Sequence, residues 1–310
     1  MKTIIFLQPV FKEMIWGGNK LKTDFGYDIP SDNTGECWAI AAHKNGDSLV
    51  LTPEFSGYTL SRLWNEKREL FGNLDGEVFP LLIKIIDAKA DLSIQVHPDD
   101  EYAKKNENGS LGKTECWYIL DCDEGADIIV GHNAQSKDEL RSMVEEARWN
   151  DLLRKIPIKK GDFFQIDPGC LHAIRQGTVI LETQQNSDIT YRVYDYDRLS
   201  DGKPRELHTE KSLEVITTPA KESVTDIKTE KHDGFTREKL IECDYYSVER
   251  IVVEKSARID QTYNFMNVSV VEGEGTVDGE KIKKGSHFIL PCGYGEAEFS
   301  GNLELIISYI

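Results

Sequence analysis

Apolar positions along this chain recur mostly every second residue, in short runs broken by Gly, Pro, Asp and Asn. The runs are Cys37-Ala42, Pro80-Asp87, Leu92-Val96, Cys116-Asp121, Asp127-Val130, Asp162-Ile166, Val179-Thr183 and Tyr191-Asp195. Period-two alternation bounded by turn residues predicts β-strands, and this many short strands in succession predicts an antiparallel jelly roll. A helical period appears in fewer places. Leu60, Leu63, Trp64, Leu70 and Phe71 predict a helix over 59–71. Ser136 with Glu139 forms a capping box ahead of Leu140, Met143, Val144 and Ala147, and predicts a helix over 137–154. Pro98-Asp99-Asp100-Glu101 is a helix start, with proline and acids in the first turn. Another helix is expected over 210–218, after Thr209 and before Pro219.

The polar stretch 220–234 reads as a linker. After it, VVEGEGTVDGEKIKKGSHFILPCG repeats the strand-and-turn pattern, with hairpins turning between Gly273 and Gly279. The expected organisation is therefore a barrel with helical insertions over 1–219, the linker, and a smaller barrel over 235–310. The fold class is mainly β: two jelly-roll barrels with a few inserted helices. Gly273-Glu-Gly275 resembles a phosphate loop only superficially, because no helix follows it.

Composition narrows the picture by exclusion. The chain has 310 residues, 39% of them hydrophobic, enough for a substantial core. Acidic residues outnumber basic ones 54 to 37, for a net charge of −17. Nonspecific binding to nucleic acid or to an anionic membrane is not expected from such a surface, and an anionic substrate needs a local cationic pocket. The apolar run Ile4 to Leu7 is too short for a signal-peptide core, and no run approaches a membrane span. Six scattered cysteines without a C-x2-C pair are expected to be reduced thiols, and the location cytoplasmic.

Candidate chemistry lies in the segments SIQVHP, GKTECWYIL and GDFFQIDPGCLHAI. Gly161, five residues, Asp167-Pro168-Gly169, two residues and His172 follow the G-x5-P-x-G-x2-H hairpin of cupin barrels, with the proline displaced by one place. Gln95 and His97 are two apart on a strand and so share a face, and Glu115 follows in the position of the cupin carboxylate. Two imidazoles, a carboxylate and an amide oxygen form a mixed set suited to one divalent ion, zinc above all, with room left for substrate. Cys116 and Cys170 lie close to these positions, but Cys116 directly follows Glu115 and so faces the other way on a strand, and neither is expected to be a ligand. Gly285, Pro291 and Gly293 repeat the hairpin spacing in the second barrel, where Glu296 stands in place of the histidine. That barrel is expected to carry no metal ligands.

On these residues the chain resembles the type I phosphomannose isomerases of the short bacterial form, zinc-dependent cupin enzymes. Ser93 to Pro98, Gly112-Lys113-Thr114-Glu115, Glu182 through Asn186-Ser187-Asp188 to Arg192, Ile15-Trp16-Gly17 and Gly35-Glu36-Cys37-Trp38 carry the likeness. Ile15 and Thr114 depart from it. The resemblance implies an aldose-ketose isomerase acting on a sugar phosphate through an enediol, with one Zn²⁺ per chain on His97, Glu115, His172 and Gln95. It further implies Glu182, Lys113 and Arg192 as catalytic groups, and Ser93, Trp16 and Arg198 against the substrate. Glu182 and Lys113 compete for the proton-carrying role, Lys113 on condition that Arg192 and the ion depress its pKa. Arg192 stabilises an oxyanion or holds phosphate, and Asp188 reads as a turn or an orienting partner. Trp16 paves the sugar site or fills core.

Two other readings of the same residues stay open. One is an Fe(II) oxygenase built on two histidines and a carboxylate, and the other is a cupin that binds sugar without catalysis. Oxygen uptake with Fe(II), or tight sugar binding by metal-free protein, would distinguish them.

Overall fold

The computed structural model describes residues 2–200, 202–222 and 225–310. Three sheets dominate it. A six-stranded sheet runs in the order Phe163–Ile166, Glu115–Cys122, Thr178–Gln185, Leu81–Ala88, Val10–Gly18, Thr34–Ile40. A five-stranded sheet runs Leu153–Pro157, Asp127–His132, His172–Ala173, Ile94–Val96, Tyr191–Tyr194. These two face each other as the first barrel. Ile86, Ala88, Trp117, Ile119 and Ile180 of the larger sheet pack in one buried cluster with Ile128 and Ile174 from the smaller sheet's side.

Alternation decides what the outer faces do. On the six-stranded sheet, Ile83, Ile85, Cys116, Tyr118, Val179 and Leu181 turn away from the barrel, into a cluster with Ile5, Val248, Phe265, Ile289 and Ile306 of the ten-stranded C-terminal sheet. On the five-stranded sheet, Ile94, Val96, Tyr191 and Val193 turn outward under three helices, which contribute Tyr102, Leu140, Met143, Val144 and Leu213. A strand buried on both faces reads as an apolar run rather than a clean alternation, and Leu81–Ala88 is buried at all eight positions.

Several boundaries differ from expectation for identifiable reasons. The helix expected over 137–154 stops at Glu145, and a short turn, Trp149–Leu152, leads into the Leu153–Pro157 strand. Ala147 takes a left-handed conformation (φ 52°), Arg148 N–H donates to the Met143 carbonyl and Ala147 N–H to that of Val144. This is a Schellman stop built without glycine, so no residue type marks the end of the helix in advance. The helix expected over 59–71 divides into Leu60–Glu66 and a 3-10 turn at Arg68–Phe71.

The stretch 220–234, read as a linker, contains the strand Lys228–His232, paired with Phe235–Glu242. All five of its residues are exposed, so it has no apolar face to betray it. Residues 223 and 224 lie outside the described residues. Gly273 and Gly275 do not turn a hairpin but lie inside the long strand Phe265–Val277, while Asp278-Gly279, both at positive φ, make the turn into Glu280–Lys283.

The chain's first strand does not stay with the first barrel. Ile5–Gln8 pairs with His287–Pro291, placing Ile5 opposite Ile289 and Phe6 opposite Phe288. The N-terminus thereby completes the C-terminal sheet.

Candidate metal centre and its surroundings

Register sets the site. In the five-stranded sheet His172 lies opposite both Val130 and Gln95, and Gln95 lies opposite Arg192. Residues directly opposite in an antiparallel ladder leave it on the same face, so His172, Gln95 and Arg192 all enter the barrel while their neighbours Leu171, Val96 and Tyr191 join the outer cluster. In the six-stranded sheet three inward rows follow one another. The first is Leu82, Gln184, Glu115 and Ile166; the second is Trp38, Lys84, Glu182, Trp117 and Phe164; the third includes Ile86, Ile180 and Ile119. One end of the barrel is therefore polar and the other apolar.

His97, Glu115 and His172 converge at the polar end. Their ligand atoms lie within 4.8 Å of one another, and all three side chains are buried. Nε2 of His97 is 3.4 Å from one Glu115 oxygen, and Nε2 of His172 is 3.4 Å from the other. Each imidazole is held from behind by a backbone carbonyl, His97 Nδ1 by Ile189 at 2.8 Å and His172 Nδ1 by Cys170 at 2.9 Å. A carbonyl only accepts, so both Nδ1 atoms carry the proton and both Nε2 lone pairs point at the carboxylate. That is the orientation a metal-ligating histidine needs.

The donor set passes a second test. His172 Nε2 and both Glu115 oxygens are buried without hydrogen-bond partners, although Lys113 Nζ approaches one of those oxygens to 2.6 Å. Burying such groups unsatisfied costs several kcal/mol on the order-of-magnitude scale. A divalent ion bound by two nitrogens and a carboxylate removes that cost.

Electrostatics around the cluster are shared among five titratable groups, His97, Lys113, Glu115, His172 and Glu182. Burial, then the Lys113 ammonium, pushes His97 down to about 3, and burial likewise lowers His172. Burial works to raise Glu115, but Lys113 and then His97 outweigh it and hold the carboxyl well below its usual range. Burial, then Glu115, raises Glu182.

Lys113 departs from the expected arrangement. Its Nζ faces Glu115 at 2.6 Å and Glu182 at 4.0 Å and lies 3.1 Å from His97 Nε2. Burial depresses its pKa, but the two carboxylates outweigh burial and raise it. The cation Arg192 is not among the groups acting on it, and a raised pKa is the reverse of what a lysine base requires.

Glu182 is fixed more tightly than any other expected catalytic group. Trp117 Nε1 donates to its Oε2 at 3.0 Å, and Lys84 Nζ stands 3.3 Å from its Oε1. Arg192 is half-buried with its Nε unpartnered, and burial, then Arg205, lowers its pKa. Ser93 is buried one residue before the Ile94–Val96 strand.

Two expected contacts lie elsewhere. Trp16 is buried in the apolar cluster with Ile86, Ile119 and Ile180, so it fills core. Arg198 is bound to Asp195 at 2.6 Å and to the carbonyls of Asp195 and Asp91. Asp188 is 3.7 Å from His43 and accepts from Asn45, and so does not orient Arg192.

Sequence reasoning passed over Lys84, Trp117 and Glu36, whose carboxylate accepts from Trp38 Nε1 at 2.6 Å. Lys84 had a legible signal: it is a lone cation inside the apolar run LLIKII. In the second barrel Glu296, which stands in the histidine's place, is exposed and faces Arg258 at 3.8 Å. Among the described residues no other group of three or more His, Cys, Asp and Glu comes together as a metal site.

Residues 4–121 match the model of the phosphomannose isomerase type I catalytic domain, and residues 236–310 match the mannose-6-phosphate isomerase cupin domain. The chain is 52% identical to mannose-6-phosphate isomerase ManA of Bacillus subtilis (strain 168), over 99% of this chain and 98% of that one. It is 48% identical to the mannose-6-phosphate isomerase of Streptococcus mutans, over 98% of each. A crystal structure of mannose 6-phosphate isomerase from Bacillus subtilis superimposes with a TM-score of 0.98, at 50% identity, covering 99% of this chain and 100% of that one.

Proposed function

Because the chain belongs to the type I phosphomannose isomerases and is an enzyme of that kind, we propose that it interconverts mannose 6-phosphate and fructose 6-phosphate through an enediol, using one Zn²⁺ held by His97, Glu115 and His172. The convergence of two imidazole Nε2 atoms on one buried carboxylate carries this reading. Gln95, on the same face as His172, is the fourth residue toward the ion. When bound, the ion supplies Lewis acidity toward a substrate oxygen.

The protein's own groups divide the remaining work. Glu182 moves the proton between C1 and C2 through Oε1, since Oε2 is occupied by the indole of Trp117. Lys113, kept protonated by Glu115 and Glu182, donates toward the oxygen on which charge develops. Arg192 enters the same chamber from the opposite sheet and supplies a planar donor for oxyanion or phosphate. Ser93, buried one residue before the strand that carries Gln95, is the further polar group assigned to the substrate. Catalysis belongs to the first barrel, 1–219, and the second, 235–310, supports it structurally. Six free cysteines fit a reducing, cytoplasmic setting, and no helix is long and apolar enough to cross a membrane.

A coupled assay of mannose 6-phosphate conversion tests the proposal. Activity is expected to disappear with chelation and to return with zinc. Metal-loaded protein that turns over no mannose 6-phosphate would overturn the reading.

A further inference from the structure

Trp117 is fully buried, and its indole reaches two parts of the centre at once. Its Nε1 donates to Glu182 Oε2 at 3.0 Å, and its ring meets that of His172 nearly edge-on, at 5.5 Å between centroids and 72° between planes. The contact with Glu182 is built into the ladder, where Trp117 lies opposite Glu182 and Glu182 opposite Lys84. The carboxylate is thus gripped from both flanking strands, by a neutral donor on one oxygen and a cation on the other.

The two grips are not equivalent. An indole N–H is fixed in the plane of a ring with no freedom to swing inside a packed core. A lysine ammonium sits on a flexible stem and can follow a moving oxygen or release it. Oε2 is therefore tied, and Oε1, which has the Lys84 ammonium at 3.3 Å but no hydrogen bond, is the oxygen with freedom to react.

We infer that Trp117 is a positioning residue: its indole N–H fixes the Glu182 carboxylate so that Oε1 is the oxygen presented to the substrate carbons. The inference rests on the isomerase reading, with Glu182 as proton carrier. A carboxylate displaced by about 1 Å loses about a hundredfold in rate without losing substrate affinity, so Trp117 acts on kcat rather than on KM.

The test removes the N–H without removing the ring. Site-specific replacement of Trp117 by the benzothienyl isostere, in which sulfur stands for N–H, is compared with 5-fluorotryptophan, which keeps the N–H. The benzothienyl protein is expected to lose about tenfold to a hundredfold in kcat, with KM for mannose 6-phosphate, zinc content and thermal midpoint unchanged, while the fluorinated protein stays near wild type. In a Glu182→Gln background the same replacement is expected to change kcat less than about twofold, because the partner is already gone.

An unchanged kcat overturns the inference, and so does an equal loss in both backgrounds or a loss of zinc. A second readout needs no turnover. The indole N–H resonance of Trp117, identified by its disappearance in Trp117→Phe, is expected to move upfield when Glu182→Gln replaces the carboxylate by an amide. If it does not move, the contact itself is wrong, whatever the activity. If it moves but wild-type zinc protein isomerises no mannose 6-phosphate, the isomerase reading fails and takes the positioning role with it.

Discussion

At the scale of single residues, backbone carbonyls and side chains of neighbouring strands orient the groups of the centre. The carbonyls of Ile189 and Cys170 choose the tautomer of both histidines, which no sequence motif states. Removing either imbued ligand leaves Glu115 buried with an incomplete set. His97→Ala and His172→Ala are accordingly expected to lose zinc and activity together, by a hundredfold or more on the order-of-magnitude scale set for metal-shell changes. Arg192→Ala is expected to keep its zinc and lose turnover, because Arg192 shares the chamber but not the ligand cluster. Elemental analysis beside the coupled assay separates the two classes, and full turnover in Arg192→Ala would remove that residue from the mechanism. The residues that converge, His97, Glu115 and His172, were legible in the sequence from motif spacing. The neighbours of Lys113 were not, because Glu182 reaches it only through the pairing of Glu115–Cys122 with Thr178–Gln185.

At the scale of elements, turn chemistry was legible where glycine marks it and hidden where another residue takes its place. Ala147 ends a helix in the left-handed conformation, so the expected helix ran on into a strand. Gly273 shows the opposite problem, a glycine that marks close approach rather than a turn. It lies at φ 84°, and a Cβ there would stand 1.9 Å from the carbonyl oxygen of Asn302 on the adjacent strand. Gly273→Ala is expected to destabilise the protein by about 1–3 kcal/mol from the left-handed backbone alone, and by more from the contact. Gly279 is also at positive φ, but with open space around it, and Gly279→Asn is expected to cost less than about 1 kcal/mol. Urea midpoints of the two variants provide the check. Equal midpoints would remove the role assigned to the Asn302 contact.

At the scale of the whole molecule, the two barrels share more than an interface. The first strand crosses to the second barrel's sheet, and Tyr27 of the first part places its hydroxyl 2.7 Å from His287 Nε2, whose other nitrogen lies 2.9 Å from Ser269 Oγ. Burial pushes His287 down to about 3 from an ordinary 6.5. The native state therefore leaves this imidazole neutral where the unfolded chain protonates it. Stability from this group is present above pH 6.5 and is lost as pH falls from there toward about 3, by about 1.4 kcal/mol per pH unit. His287→Gln is expected to flatten the dependence of the urea midpoint on pH between 6 and 4. Identical slopes in variant and wild type would show that the histidine is already charged in the folded protein.

The sequence by itself determined the kinds of residue at the centre and the faces they take, because period-two alternation and turn spacing are local and survive without knowledge of the rest of the chain. It also determined the class of fold, since short alternating strands leave few other ways to bury their apolar sides. Only the tertiary structure decided which of those faces meet. Strand pairing across long separations brought Lys84 and Trp117 onto Glu182 and sent Ile5–Gln8 into the far barrel. Those contacts depend on how the sheets close and stack, which is a property of the packed whole and is written in no single segment.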